Sequence, residues 1–178
     1  MSSVGWFRDQ IGEIMPNIGL SEKQFSLLYG HFELLNRWNE RMDLTSVDTP
    51  TEIVSRHYCE SLFFAQHLPA AEPDVAIVDF GSGAGFPGFP MAVLHAEWRI
   101  TLLEANQRRA VFLKEAARGL QNVSVIARRG EDFDERHNWV VARAVKSKDV
   151  LQCVPRLAAG VGLLVSEALV LDVFKDRD

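Results

Sequence analysis

The sequence is short of the residues that would place it in several common protein classes. It has only two cysteines, Cys59 and Cys153, far apart and without a CxxC partner, so neither a disulfide framework nor a zinc site is suggested. The expectation is two reduced thiols in a cytoplasmic protein. No apolar run approaches the roughly 20 residues that span a bilayer. The first residues, Met1-Ser2-Ser3-Val4-Gly5-Trp6-Phe7-Arg8-Asp9, turn polar too soon for a secretory signal. Repeats and low-complexity tracts are absent. Positive charge is scarce too: 19 Lys and Arg against 24 Asp and Glu give a formal net charge of −5, not the balance of a protein that coats nucleic acid. Local patches remain at Arg108-Arg109, Arg128-Arg129, and Arg143 with Lys146 and Lys148. Each alone reads as a solvated face, and its meaning depends on whether the fold gathers such patches on one side.

What is present is one domain's length, 178 residues at 47% hydrophobic, enough to bury a core. The first seventy residues read as helices forming an N-terminal cap (1–70), followed by an α/β domain (71–178). Ser21 with Gln24 makes a capping box, and Phe25, Leu28, Phe32, Leu35 and Met42 follow at helical spacing. Thr49-Pro50-Thr51-Glu52 starts another helix, expected to run to about Leu68 and end before Pro69. From Val75 short apolar runs alternate with helical stretches. Strands are expected at 75–78, 99–103, 123–126, 139–142 and 161–165, and helices through Met91–Leu94, from Gln107 to Gly119 and from Asp149 to Leu157. Such alternation predicts a doubly wound, mostly parallel sheet with helices on both faces.

On sheets of this kind ligands sit beyond the carboxyl ends of the strands. The first strand runs into Asp79-Phe80-Gly81-Ser82-Gly83-Ala84-Gly85-Phe86-Pro87-Gly88. Glycine permits a tight turn and a close approach of backbone N–H groups to a ligand. The dinucleotide fingerprint is not met, because Phe86 stands where its third glycine belongs. The pattern is acid-x-G-x-G-x-G, the first motif of class I methyltransferases, whose turn packs on the methionine part of S-adenosyl-L-methionine. Glu104 closes the second strand. Alone it would be a surface acid; after a glycine turn it suits the two hydroxyls of a ribose. Glu131-Asp132, after the third strand, can line an adenine. These features indicate an adenosine-bearing cofactor without excluding a nicotinamide.

Further segments sharpen the reading. Leu35-Asn36-Arg37-Trp38-Asn39 with Asp43-Leu44-Thr45-Ser46, Arg56-His57-Tyr58-Cys59-Glu60-Ser61-Leu62, and the run from Asp79 to Pro90 come in that order. Leu102-Leu103-Glu104-Ala105-Asn106, Arg108-Arg109, Phe112-Leu113, Arg129-Gly130-Glu131 and Ala142-Arg143-Ala144 follow. The series resembles the ribosomal RNA small subunit methyltransferase G family, also called glucose-inhibited division protein B, over about residues 27 to 165. The resemblance implies a class I methyltransferase fold with a helical cap, and methyl transfer from S-adenosyl-L-methionine to N7 of a guanine in small-subunit ribosomal RNA or its particle. By position it implies that Gly81 and Phe86, with Gly83 and Gly85 of the same turn, line the cofactor. Glu104 would bind ribose, Gly130 and Glu131 would contact the adenosine end, and Arg143 would sit where cofactor and substrate meet. Asn39, His57 and Arg129 fall in motifs expected around the same cleft, with His57, Arg129 and Arg143 as candidate catalytic residues.

Guanine N7 carries a free lone pair and needs no general base. No Ser–His–Asp order and no metal-ligand spacing is present in the sequence, so alignment is expected to be the main source of catalysis. Two departures from the family pattern stand out. Val165-Ser166-Glu167 replaces a Leu-Lys-Gly segment, which should weaken phosphate contact. The strand hairpin expected after it is truncated, and residues 169–174 could supply one strand at most. An exposed sheet edge is then expected to cause dimerisation or lower stability. The alternatives are a relative that binds S-adenosyl-L-methionine without methylating RNA, and a nicotinamide oxidoreductase, which would have to ignore Phe86 and lacks a proton relay.

Overall fold

The computed structural model describes residues 3–69, 74–165 and 168–173. The cap opens with α1 (Val4–Ile14) and α2 (Glu22–Asn39). The Ser21 capping box forms on both sides: the Gln24 N–H donates to Ser21 Oγ, and the Ser21 N–H donates to Gln24 Oε1 at 2.8 Å. Thr49 caps α3 (Pro50–Glu52) by accepting from the Glu52 N–H. The helix expected from Thr49 to about Leu68 is present as a continuous helical stretch over residues 50–67, but it is not α-helical throughout. A seven-residue π segment, Ile53–Cys59, lies between α3 and α4 (Glu60–His67). Its wider turn buries five of its residues, Ile53, Val54, His57, Tyr58 and Cys59. Such insertions are frequent at functional sites.

The sheet has the order β3-β2-β1-β4-β5-β6. Strands β1 (Ala76–Phe80), β2 (Arg99–Leu103), β3 (Val123–Ile126), β4 (His137–Arg143) and β5 (Ala158–Val165) are parallel. Helices α5 (Gly88–Leu94), α6 (Gln107–Ala116) and α7 (Ser147–Leu157) make the crossovers. The doubly wound architecture expected from the sequence is therefore present. β4 is longer than its apolar run because His137 still pairs with Ala158. β6 (Ala168–Val173) lies antiparallel on β5, so the last apolar run does supply one strand. Ser166, Glu167 and Phe174 lie outside the described residues.

Alternation along each strand sorts side chains into two cores. Ile77, Ile100, Leu102 and Val141 face the cap helices with α5 and α6; Val78, Phe80, Leu103 and Val140 face α7. The cap is fused to the sheet by an aromatic cluster in which Phe7, Phe32, Tyr58 and Phe86 meet at ring centroid distances of 5.0–6.3 Å. The order reverses between β1 and β4, so the loops after β1, β2, β3 and β4 converge at one end of the sheet.

Gly88 starts α5 where no side chain fits. A Cβ there would lie 2.5 Å from Leu102 Cδ2 and 2.7 Å from Asp79 Oδ2. Gly88→Ala is expected to cost about 2 kcal/mol and to lower the melting temperature by roughly 4–8 °C. Unchanged thermal unfolding would show that the contact relaxes freely.

Candidate active site

At the carboxyl end of β1 the turn takes positive φ at every second residue: Gly81 at 73°, Gly83 at 56° and Gly85 at 92°. This is glycine territory. The turn's backbone is held from three sides. The N–H groups of Gly81 and Ser82 donate to Leu103 O at 2.8 and 3.1 Å. Glu104, only 6% exposed, accepts the Gly83 N–H at 2.8 Å on Oε2 and the Asn106 N–H at 2.7 Å on Oε1. Asp79 accepts the Gly88 N–H at 2.9 Å on Oδ2, while its Oδ1 has no partner among the described residues. Burial pushes the Asp79 carboxyl up to about 7, against the lowering effect of the Gly88 N–H.

The third side comes from the cap. His31 is buried, and its Nε2 lies 3.1 Å from Ala84 O. A carbonyl oxygen only accepts, so Nε2 carries the proton and Nδ1 accepts from the Tyr58 hydroxyl at 2.6 Å. Burial keeps this ring neutral, with its pKa lowered to about 3. The ring stacks on Phe89 at 4.1 Å, and a Cβ on Gly85 would come within 3.1 Å of Nε2. Nothing in the sequence beyond a helical position on an apolar face marks His31. Asn106 was legible as part of a motif but not by role. Its Oδ1 caps α6 by accepting from Arg108 and Arg109 N–H, while its own N–H anchors Glu104.

Beside the turn lies a cavity of about 650 Å³ lined by Gly81, Gly83, Phe86, Glu104, His57 and Arg143, among others, a size that suits a small ligand. At Gly83 a Cβ would find only Gly81 O, at 3.8 Å, so the wall there is open. Gly85 is not in this wall, because it faces His31, Phe89 and Leu113. A second cavity of about 470 Å³ holds Arg129, Gly130 and Glu131 with Phe80 and Ala105. Val145 and Asp149 line both cavities, and Val145 Cγ2 stands 2.8 Å from where a Gly81 Cβ would be. Gly130 is held by Arg156 of α7, which donates to its carbonyl at 2.9 Å. Arg129 and Glu131 are mostly exposed and 3.7 Å apart. Apart from Gly85 and Asn39, which line neither, the sequence-derived residues thus fall on two adjoining cavities, not one.

Arg143 ends β4 and reaches back to the cap. Its Nη2 is 3.0 Å from Glu60 Oε2, and its Nη1 donates to His57 Nδ1 at 2.8 Å. With Nδ1 accepting, the neutral His57 ring donates from Nε2 to Thr45 Oγ1 at 2.7 Å. Burial first, then the Arg143 charge, lowers the His57 pKa to about 4. Asn39 sits one step away: its Oδ1 accepts from the Leu44 and Thr45 N–H groups, shaping the loop that supplies Thr45. Among the described residues no cluster of His, Cys, Asp or Glu suits a metal ion, and no helix is long and apolar enough to cross a membrane.

Comparison with known proteins places these features in context. The family model described as rRNA small subunit methyltransferase G matches residues 24–164. A ribosomal RNA small subunit methyltransferase G from Nitrosomonas europaea is 41% identical over 126 residues, covering 68% of this chain and 57% of the relative. One from Vibrio campbellii is 36% identical, covering 79% and 67%. The chain spans about six-tenths of the length of the curated relatives it matches. Among solved structures, a SAM dependent methyltransferase from Aquifex aeolicus superposes with a TM-score of 0.53 at 15% identity, covering 68% of this chain and 70% of that one. At that identity the likeness shows the fold alone.

The buried titratable groups act in opposite directions on stability. His31 and His57 stay neutral when folded but gain protons in the unfolded chain below about pH 6.5, so their contribution is lost as the pH falls. Asp79 holds its proton when folded up to about 7 and releases it in the unfolded chain near 3.8, so its contribution is lost as the pH rises through that window. Between about pH 5 and 6, Asp79→Asn removes the opposing proton. The acid-side loss of stability should then steepen by about 1.4 kcal/mol per pH unit. Urea unfolding across that range measures it, and equal slopes would show that Asp79 is ionised in the fold.

Proposed function

The chain belongs to the rRNA small subunit methyltransferase G family, and on that premise we propose that it transfers a methyl group from S-adenosyl-L-methionine to N7 of a guanine in small-subunit ribosomal RNA. The observation that carries this reading is Glu104. A buried carboxylate on the cavity wall spends one lobe of each oxygen on backbone N–H groups and keeps the others for vicinal hydroxyls. The open backbone at Gly83 and the adjoining cavity at Phe80 and Gly130 suit an elongated ligand with a sugar at Glu104, a flat base beyond it and an amino-acid tail along the glycine turn.

Bound there, S-adenosyl-L-methionine supplies an electrophilic methyl group. The acceptor nitrogen brings its own lone pair and needs no base, and His57 is not available as one: both its ring nitrogens are engaged and its pKa is near 4. We assign His57 a positioning role. It fixes Arg143, whose guanidinium also pairs with Glu60 and lines the cavity, so that its donors meet the guanine edge or a phosphate in one orientation. Arg129 lines the second cavity and is mostly exposed, which supports a role in holding phosphate. Holding the acceptor in line with the methyl group is then the principal contribution of the protein. The cap and sheet act as one unit in this reading, since Arg143 at the end of β4 is held by His57 and Glu60 of the cap. The expected location is the compartment of the ribosome. β6 is the outer strand of the sheet among the described residues, and pairing of two copies along it is part of the proposal, tested by light scattering after gel filtration.

Labelled methyl transfer to small-subunit ribosomal RNA and to the assembled particle tests the activity. Incorporation no higher than that of a Gly81→Asp variant would leave a donor-binding protein without transfer. Glu104→Gln should weaken donor binding by about 1–3 kcal/mol in calorimetric titration. A nicotinamide dinucleotide binding more tightly than the donor would overturn the assignment. Arg143→Ala should lower kcat at least tenfold, on the order of one lost charge-assisted hydrogen bond, with thermal unfolding little changed.

A further inference from the structure

A groove of about 650 Å³ runs between the C-terminal end of α2 and α6, outside both cavities of the site. Its floor is apolar, formed by Trp38, Met42 and Val111, with Val111 55% exposed and Trp38 edge-on to the buried Phe112 at 5.7 Å. Its rim carries Arg37, Arg41 and Arg108, all exposed. Among the described residues no ion pair engages any of the three. Glu40 and Glu115 line the same groove, so its three unpaired guanidinium groups outnumber its acids by one, in a chain whose formal net charge is −5.

The groove is continuous with the site along two stretches of chain. Arg108 lines the groove while its neighbour Arg109 lines the Glu104 cavity, where it also donates to Asp43 O at 3.3 Å. Met42 lines the groove while Leu44, Thr45 and Ser46 line the same cavity. A polyanion whose reacting base enters that cavity therefore has one cationic path leading away from it over the α2–α6 rim.

We propose that this groove is the track for single-stranded RNA flanking the target base, with Arg37, Arg41 and Arg108 on phosphates and the Trp38–Met42–Val111 strip under an unstacked base. The proposal rests on the reading of the chain as an RNA-directed methyltransferase. Apolar faces that take a base combined with cations that follow the backbone are the means by which proteins hold single strands. A protein partner would use the apolar strip but has no general need for three unpaired arginines at its edge.

The test is anisotropy of the full chain with a fluorescent transcript of small-subunit ribosomal RNA and, separately, with the purified small subunit, over a salt series with S-adenosylhomocysteine present. The groove variant is Arg37→Glu with Arg41→Glu. A variant of equal charge change, Lys23→Glu with Arg118→Glu, lies outside the groove. The groove variant should raise the Kd for the naked transcript by about tenfold or more and lower the salt slope by about 1.4, two phosphates' share on a single strand. The other variant should change Kd less than about threefold, and both should bind donor as the parent does. Equal losses in the two variants, or none in the groove variant while the parent still binds and methylates RNA, would overturn the track and leave the activity standing. A loss seen only with the assembled particle would put a ribosomal protein in the groove and overturn the RNA track. A parent that neither binds nor methylates either probe would overturn both readings.

Discussion

A turn that bends sharply at the end of a buried strand must find partners for its own amides, and the rest of the site is arranged around that requirement. Unpaired buried N–H groups are costly. Here they are met by the end of β2 and by two carboxylates, Glu104 for Gly83 and Asp79 for Gly88. Alternating positive φ values aim the amides of the turn at those acceptors, which a chain of larger residues could not do. The arrangement carries its own cost, visible in the raised pKa of Asp79 and in its unpartnered oxygen. A buried carboxylate of that kind stabilises little in net terms, but it fixes where the turn must lie.

The cap is part of the same constraint. His31 takes the carbonyl of Ala84 and Tyr58 takes the other nitrogen of His31, so α2 and the π segment are bonded in series to the glycine turn. Tyr58 and His57 are neighbours in that segment yet serve different ends: one reaches the turn through His31, the other holds Arg143 at the end of β4. The π segment places both rings inside. Cutting the chain between cap and sheet would therefore remove the props of the turn and of the arginine together, which is the physical argument for treating them as one unit.

Much of this was legible in the sequence for identifiable reasons. Apolar runs gave the inner strands because strands buried on both faces need no alternation, whereas β3, at the sheet edge with Ser124 exposed, was read from Val123, Val125 and Ile126 and has the expected bounds 123–126. The tight turn at Gly81 and Gly83 was legible because their positive φ values favour glycine, and the place of Glu104 beside that turn followed from its position at the end of the second strand, although its two backbone N–H partners did not. What escaped depends on tertiary contact. His31 looks like any polar residue on an amphipathic helix until Ala84 and Tyr58 surround it. The π segment leaves no trace in spacing, since Ile53, Val54, His57 and Tyr58 fit an α-helical face equally well. Gly85 shares a motif with Gly81 and Gly83, yet it answers to a packing need against His31 and Phe89. That distinction requires knowing which side of the turn the cap occupies. The division into two cavities depends on where Val145 settles, a matter of loop packing that no periodicity encodes.

The start of α6 ties the geometry of the two proposed binding functions together. Asn106 gives its N–H to Glu104 and its side-chain oxygen to the N–H groups of Arg108 and Arg109. The carboxylate proposed to hold the donor's ribose and Arg108, one of the three arginines proposed to meet RNA phosphate, are thus joined through one helix cap. Loss of such a cap costs about 1 kcal/mol in stability. The larger consequence would be geometric, because Glu104 and Arg109 share the cavity wall that the first turn of α6 positions. Coupling of this kind needs no conformational change: a rigid turn that serves both ligands sets the distance between them, and transfer in line depends on that distance.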